Sequence, residues 1–252
     1  MRILRRSVLA LFAAGGIAAA TSLPAQAASV SAAVASNFTK VAEQLGTDFK
    51  AKTGDDVVFS FGATGALYTQ ITQGAPFEVF LSADNKRTAT AIKEGFGVDG
   101  TDFTYAVGEV ALYSPTIDVT DGKAVLEANA FQHIAIADRK TAPYGTAGMA
   151  VLEKLGLTAA VTPKVVTGEN IAQTLQFVDS GSAELGFVAL SQVIDKPATQ
   201  VWLAPQEDYP AIKQNAVLLK TGRANAAAKA FLDYLKSPEA IAVIEAAGYT
   251  VE

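Results

Sequence analysis

Four short stretches place small, hydroxyl or amide residues at the start of a helical pattern: Ser36-Asn37, Thr64-Gly65, Tyr144-Gly145 and Asn170-Ile171. A helix start leaves N–H groups without acceptors and carries the positive end of the helix dipole, so it attracts anions. Ser36, Asn37 and Thr64 also read as N-caps of the helices that follow them. If the four turns converge, they deliver hydroxyls and backbone N–H groups to one small volume. A site made only of donors suits a compact, fully ionised tetrahedral oxyanion, which can only accept hydrogen bonds. A protonated oxyanion such as phosphate near neutral pH also wants an acceptor. Asp138 and Glu169 lie near the turns, so phosphate is disfavoured rather than excluded. None of the turns depends on a basic residue; Lys40, Arg139 and Lys140 read as a solvated helix face and a surface loop.

The elements that must position these turns alternate between strand and helix. Ser31–Ala35 reads as a strand, and Phe38, Val41, Ala42, Leu45 and Phe49 recur at helical spacing up to Gly54. Strands follow at Val57–Phe61 and Phe77–Leu81, each leading into a helix, the second capped by Asp84. Tyr105–Tyr113 reads as one long strand that could pass between lobes. Ile134–Ala137, Val161–Val166 and Leu185–Leu190 read as further strands, with a turn-rich loop at Asp138–Gly148 and helices from Ala147 and from Ile171. Val201–Pro205 and Ala216–Leu219 complete the strands, separated by the polar Gln206–Gln214, and two helices from Ala224 and Ser237-Pro238 close the chain.

This alternation implies an α/β chain with crossover helices. Two lobes are expected, lobe one from residues 28–107 plus 211–252 and lobe two from residues 108–210. Ligands in such folds sit at the carboxyl ends of strands, and two facing lobes make a cleft that can close.

Residues 1–27 stand apart. Arg2, Arg5 and Arg6 precede an apolar run from Ser7 to Ala20, and LPAQA follows with an A-x-A ending, the pattern of an export signal cut after Ala27. Without those arginines the 20 basic residues fall to 17 against 25 acidic ones, so the charge moves from −5 to −8. An acidic exported chain is a poor nucleic-acid binder. With no cysteine there is no disulfide, thiolate metal site, cysteine nucleophile or lipidated cysteine. No later segment is long and apolar enough to span a bilayer, so a soluble, unanchored periplasmic monomer is expected.

The stretches SAAVASNFTKVAEQL, VVFSFGATGALYTQITQGAPFEVFLSAD, PYGTAG, LGFVALSQV and YLKSPEAIAVIEAAGYTV together resemble the molybdate-binding periplasmic proteins of ABC importers, in order over nearly the whole mature chain. The resemblance implies a two-lobed periplasmic binding protein type II fold, with the ligand cleft between two mixed-sheet lobes. It implies molybdate or tungstate held by uncharged donors, an ABC permease as partner, no cofactor, and no direct protein-to-cation ligand, the metal being bound as its oxyanion. Ser36 then matches the family's first-turn hydroxyl with Asn37 beside it. Thr64 matches the second-turn serine, and Tyr144 and Ile171 match positions that offer backbone N–H groups. Some members carry a tyrosine where this chain has Ala189. The Tyr144 hydroxyl is the expected replacement donor.

A sulfate or thiosulfate receptor shares the donor pattern and differs mainly in anion size. An exported hydrolase is the alternative outside the receptor class. The single histidine, His133, reads as a strand-edge residue, and neither Gly-x-Ser-x-Gly nor His-Glu-x-x-His occurs.

Overall fold

The computed structural model describes residues 27–251, so the export segment expected over residues 1–27 lies outside the described residues apart from Ala27. The chain enters along β1 (Ser29–Ala35), takes a 3-10 turn (Ser36–Phe38) into α1 (Thr39–Thr53), and continues through β2 (Asp56–Gly62), α2 (Thr64–Thr72), β3 (Val79–Leu81) and α3 (Asn85–Lys93) to β4 (Phe103–Gly108). Next come β5 (Val110–Tyr113), α4 (Gly122–Ala128), β6 (Ile134–Ala137), α5 (Pro143–Lys154), the short α6 (Thr158–Val161), β7 (Val165–Gly168) and α7 (Ile171–Asp179). β8 (Leu185–Ala189), the short α8 (Leu190–Val193) and β9 (Val201–Leu203) follow, then β10 (Ile212–Leu218), α9 (Ala226–Tyr234) and α10 (Pro238–Ala246).

Two five-stranded mixed sheets result, in the orders β2-β1-β3-β10-β4 and β7-β6-β8-β5-β9. In the first, β1 runs parallel to β2 and β3, and β10 pairs antiparallel with β3 and β4. In the second, β6 is parallel to β7 and β8, and β5 is antiparallel to β8 and β9. The α/β architecture of two mixed-sheet lobes is the one expected.

The central strand β1 is apolar on both faces because both are covered: Val30, Ala32, Ala33 and Val34 are fully buried. α1 turns Val41, Ala42, Leu45 and Phe49 inward, with Phe49 edge-on to Phe231 of α9 at 5.3 Å. It ends at Gly54, whose left-handed φ of 84° lets its N–H reach the Lys50 carbonyl.

Several boundaries differ from expectation. The apolar run Tyr105–Tyr113 is two strands, β4 in one sheet and β5 in the other, with the chain crossing at Glu109. Burial on both sides of the crossing leaves no polar residue to mark it except Glu109 itself. Val161 closes α6, so the strand expected from there starts only at Val165. The loop expected over 138–148 is already helical from Pro143, which puts Tyr144-Gly145 inside the first turn of α5. α4 has no expected counterpart, although the Asp121 carboxylate caps it by accepting from the Ala124 N–H. β10 starts at Ile212, inside the stretch read as a polar linker.

Candidate anion site

β1 and β2 of one sheet, and β6 and β7 of the other, each end in a turn that opens a helix. These ends meet at one small cavity of about 10 Å³. Its walls are Ala35, Ser36, Asn37, Gly62, Ala63, Thr64 and Ala83 from one side, and Ala142, Pro143, Tyr144 and Ile171 from the other. The five residues expected to hold an anion are therefore neighbours, none more than 5 % exposed. No lining residue is charged; Asp138 and the exposed Glu169 stay outside the lining.

The caps of these helices differ from expectation. Ser36, Asn37 and Thr64 are not N-caps. The cap positions are Ala35 and Ala63, one residue earlier, and at α5 the cap is Ala142, none of which has a side chain that can accept an N–H. Away from the cavity, α3, α4, α9 and α10 are capped by the side chains of Asp84, Asp121, Asn225 and Ser237. The helices that face the cavity through alanine thus keep first-turn donors that capping elsewhere consumes.

In lobe two the remaining donors can be assigned one by one. At α5, Pro143 has no N–H and the Gly145 N–H goes to the Ala142 carbonyl at 3.0 Å, which leaves the Tyr144 N–H. At α7 the Asn170 side chain accepts from Ala172 and Gln173, both at 3.0 Å, which leaves the Ile171 N–H. A Cβ on Gly145 would lie 2.1 Å from the Ala137 carbonyl oxygen, so only glycine lets α5 start this close to the end of β6. In lobe one the Thr64 hydroxyl accepts from the Ala83 N–H at 3.0 Å, which fixes its oxygen and leaves its proton free to donate.

Behind the cavity lies a buried polar network that sequence reasoning missed. Asn37 Nδ2 donates to Gln214 Oε1 at 2.8 Å and to the Tyr249 hydroxyl at 2.9 Å. The Asn37 carbonyl accepts from Ser191 Oγ at 3.1 Å. The Asn37 side-chain nitrogen is therefore committed to the network, and its backbone N–H lies in the first turn of the 3-10 helix. Burial pushes the Tyr249 phenol up to about 12, against the pull of its hydrogen-bond partners, and burial likewise raises Tyr105 and Tyr144 well above the usual phenol value. All three are neutral O–H groups at physiological pH.

The Tyr144 hydroxyl sits in this network. It accepts from Gln214 Nε2 at 3.3 Å. At Ala189 the backbone N–H is held by Gln192 Oε1 at 3.0 Å, and Gln192 Nε2 donates to the Ile171 carbonyl at 3.2 Å. The signals in the sequence were polar residues stranded among apolar ones, Gln214-Asn215 before AVLL and Tyr249 at the chain end.

The two halves also touch directly. Gly65 N–H donates to the Thr141 carbonyl at 2.8 Å, Ser36 Oγ to Asn170 Oδ1 at 3.3 Å, and Arg87 Nη2 to the Lys140 carbonyl at 3.0 Å. Arg87 is also paired with Asp84. Beside the cavity, and sharing Ala83 and Pro143 with it, runs an open groove of about 390 Å³, flanked by Lys86, Arg87, Arg139 and Lys140. The loop cations read as merely solvated in sequence are thus gathered next to the site. Lys40 instead faces Asp195 at 3.9 Å on the exposed surface.

Two lobes joined by narrow crossings, closing on a small uncharged cavity at helix starts, define a binding protein that encloses a small solute. A family model described as bacterial extracellular solute-binding protein matches residues 30–250, and the chain belongs to that family. It is 51% identical to the molybdate-binding protein ModA of Rhodobacter capsulatus over 99% of this chain and 97% of that one. It is 50% identical to the molybdate-binding protein ModA of Azotobacter vinelandii over 99% and 98%. The solved structure of an Azotobacter vinelandii periplasmic molybdate-binding protein superposes with a TM-score of 0.85 at 40% identity, covering 88% of this chain and 99% of that one.

Proposed function

We propose that this protein is an extracytoplasmic receptor that captures molybdate or tungstate and hands it to an ABC permease. It is a transport receptor and not an enzyme, and it needs no cofactor. The observation that carries the reading is the pairing of alanine caps with an uncharged cavity: first-turn donors are left free where a ligand would sit, and no carboxylate lines the walls. An anion that only accepts hydrogen bonds matches such walls, and relatives near 50% identity are named for binding molybdate. The proposed donors are the Asn37 N–H, the Thr64 hydroxyl and N–H, the N–H groups of Tyr144 and Ile171, and the Ser36 hydroxyl once it turns from Asn170 Oδ1 to the anion. At roughly 1.5–3 kcal/mol per charge-assisted hydrogen bond, five or six such donors support tight binding after the costs of ordering and closure.

Residues 1–27 serve as the export signal in this reading. Lobe one comprises residues 28–107 plus 211–252 and lobe two residues 108–210. The mature chain works in the periplasm as a monomer, without a lipid anchor or a nucleic-acid partner. Among the described residues no helix is long and apolar enough to cross a membrane. Isothermal titration of the mature, anion-stripped protein with molybdate, tungstate, sulfate and phosphate tests the proposal. One-to-one binding of the first two, with sulfate and phosphate silent, is expected. Preferential binding of sulfate would overturn the ligand assignment, and binding of none would overturn the receptor reading.

A further inference from the structure

Gln214 is fully buried on β10, the strand to which the chain returns after lobe two, at a break in that strand's register with β4. Its Oε1 accepts from Asn37 Nδ2 at 2.8 Å and from the Tyr105 hydroxyl at 3.2 Å, while its Nε2 donates to the Tyr144 hydroxyl at 3.3 Å. Asn37 and Tyr144 are opposite walls of the cavity. One planar amide is therefore hydrogen-bonded to both walls, its oxygen end meeting the Asn37 amide nitrogen and its nitrogen end the Tyr144 hydroxyl. Turning this amide over alone would set two N–H₂ groups against each other.

We propose that Gln214 is a positioning residue that sets the separation of the Asn37 and Tyr144 walls in the closed state, and thereby which tetrahedral dianion the cavity accepts. The inference rests on the oxyanion-receptor reading above. Tetrahedral dianions present the same acceptors and differ mainly in size, so donor chemistry alone does not tell them apart. Discrimination then requires walls held at a fixed distance, and supporting hydrogen bonds are the general means of holding a site to such tolerance. Among the other contacts between the halves, Ser36 to Asn170 and Gly65 to Thr141 close the rim, and Ser191 Oγ donates to the Asn37 carbonyl at 3.1 Å without reaching Tyr144.

The test is competition titration of the mature protein: the sulfate concentration that halves molybdate binding, measured for wild type, Gln214→Met and Asn215→Ala. Methionine matches the length of glutamine without its hydrogen bonds. Asn215 is the adjacent buried polar residue on the same strand, where its Oδ1 accepts from Thr104 Oγ1 at 2.9 Å, away from both walls. Gln214→Met is expected to reduce the preference for molybdate over sulfate about tenfold, the equivalent of one lost hydrogen bond. Asn215→Ala is expected to keep the wild-type preference even where its melting temperature falls. An unchanged preference in Gln214→Met overturns the inference, as does an equal change in Asn215→Ala, which would mark a general loosening. Should Gln214→Met fail to fold, Gln214→Asn, which keeps the amide but is one methylene short of spanning both walls, is read by the same criteria. A wild type that binds neither anion refutes the receptor reading and the inference with it, whereas a wild type that binds molybdate with variants that do not shift the preference refutes the inference alone.

Discussion

Replacing Ala142 with aspartate should stabilise the empty protein while abolishing anion binding. Ala142 is the N-cap of α5, with an extended backbone (φ −112°, ψ 118°) that suits a capping side chain. Of the first-turn groups, Pro143 has no N–H and the Gly145 N–H is already bound to the Ala142 carbonyl, so the incoming carboxylate finds the Tyr144 N–H. A side-chain cap in place of alanine contributes about 1 kcal/mol, which for a chain of this size raises the melting temperature by about 2–4 °C. The same bond removes one donor from the proposed site, at a cost of about 1.5–3 kcal/mol of binding. Like-charge repulsion adds about 4 kcal/mol for each pair of unit charges about 4 Å apart near a protein surface. Together these exceed about 5 kcal/mol, more than three orders of magnitude in Kd. Aspartate is a sharper probe than serine, because a serine hydroxyl could accept the N–H and donate in turn to the anion.

Thermal unfolding of the stripped protein and isothermal titration with molybdate read the two effects separately. An empty protein that gains no stability would mean that the Tyr144 N–H already has a partner. Retained affinity would mean that the anion does not sit at the start of α5. Either result refutes the reasoning, and a misfolded variant is recognised by an altered circular dichroism spectrum rather than by its melting temperature.

Other perturbations address closure, protonation and capture. A Cβ at Gly65 would lie 3.0 Å from Thr141 Cα and 2.8 Å from Arg87 Nη2, so Gly65→Ala should hinder closure; a weaker molybdate affinity and a smaller ligand-induced contraction in X-ray scattering are expected, with the stability of the empty protein unchanged. Because the buried phenols of Tyr105, Tyr144 and Tyr249 are raised above their unfolded value near 10, the unfolded chain releases those protons first as the pH rises; stability should hold up to about pH 10 and then fall by about 1.4 kcal/mol per unit per tyrosine as the pH approaches the folded values, measured by urea unfolding. The cations Lys86, Arg87, Arg139 and Lys140 beside the cavity offset a negative chain for an approaching dianion; the association rate in stopped flow should fall with added salt and with Lys86→Glu plus Lys140→Glu, while the dissociation rate stays constant.

The site turns were legible because each joins a strand end of small residues to a helical repeat of large ones, as Ala32–Ala35 does with Phe38, Val41 and Leu45. Pattern locates a helix start to within a residue or two. That margin decided whether Ser36 and Thr64 were caps or lay inside the first turn, and the structure places both inside it. The division of Tyr105–Tyr113 between two sheets was hidden because burial selects apolar residues in either sheet. The network was hidden for a different reason. Gln214 and Tyr249 lie 35 positions apart and far from Asn37 in the chain, and only the return of β10 and the C-terminal segment brings their polar atoms together.

Helix capping also explains why the two halves use different means to offer donors. In lobe two, a proline at the first helical position and an asparagine cap consume neighbouring groups and leave one N–H at each helix start, from Tyr144 and from Ile171. In lobe one the caps are alanines, and hydroxyls stand inside the turns, Thr64 with its oxygen fixed by the Ala83 N–H. A backbone N–H on a rigid helix cannot rotate away, whereas a hydroxyl can turn to meet an anion that arrives before closure. For the proposed site, such a division predicts first capture on the hydroxyl-bearing lobe, followed by completion of the shell when the fixed donors of the other lobe swing in.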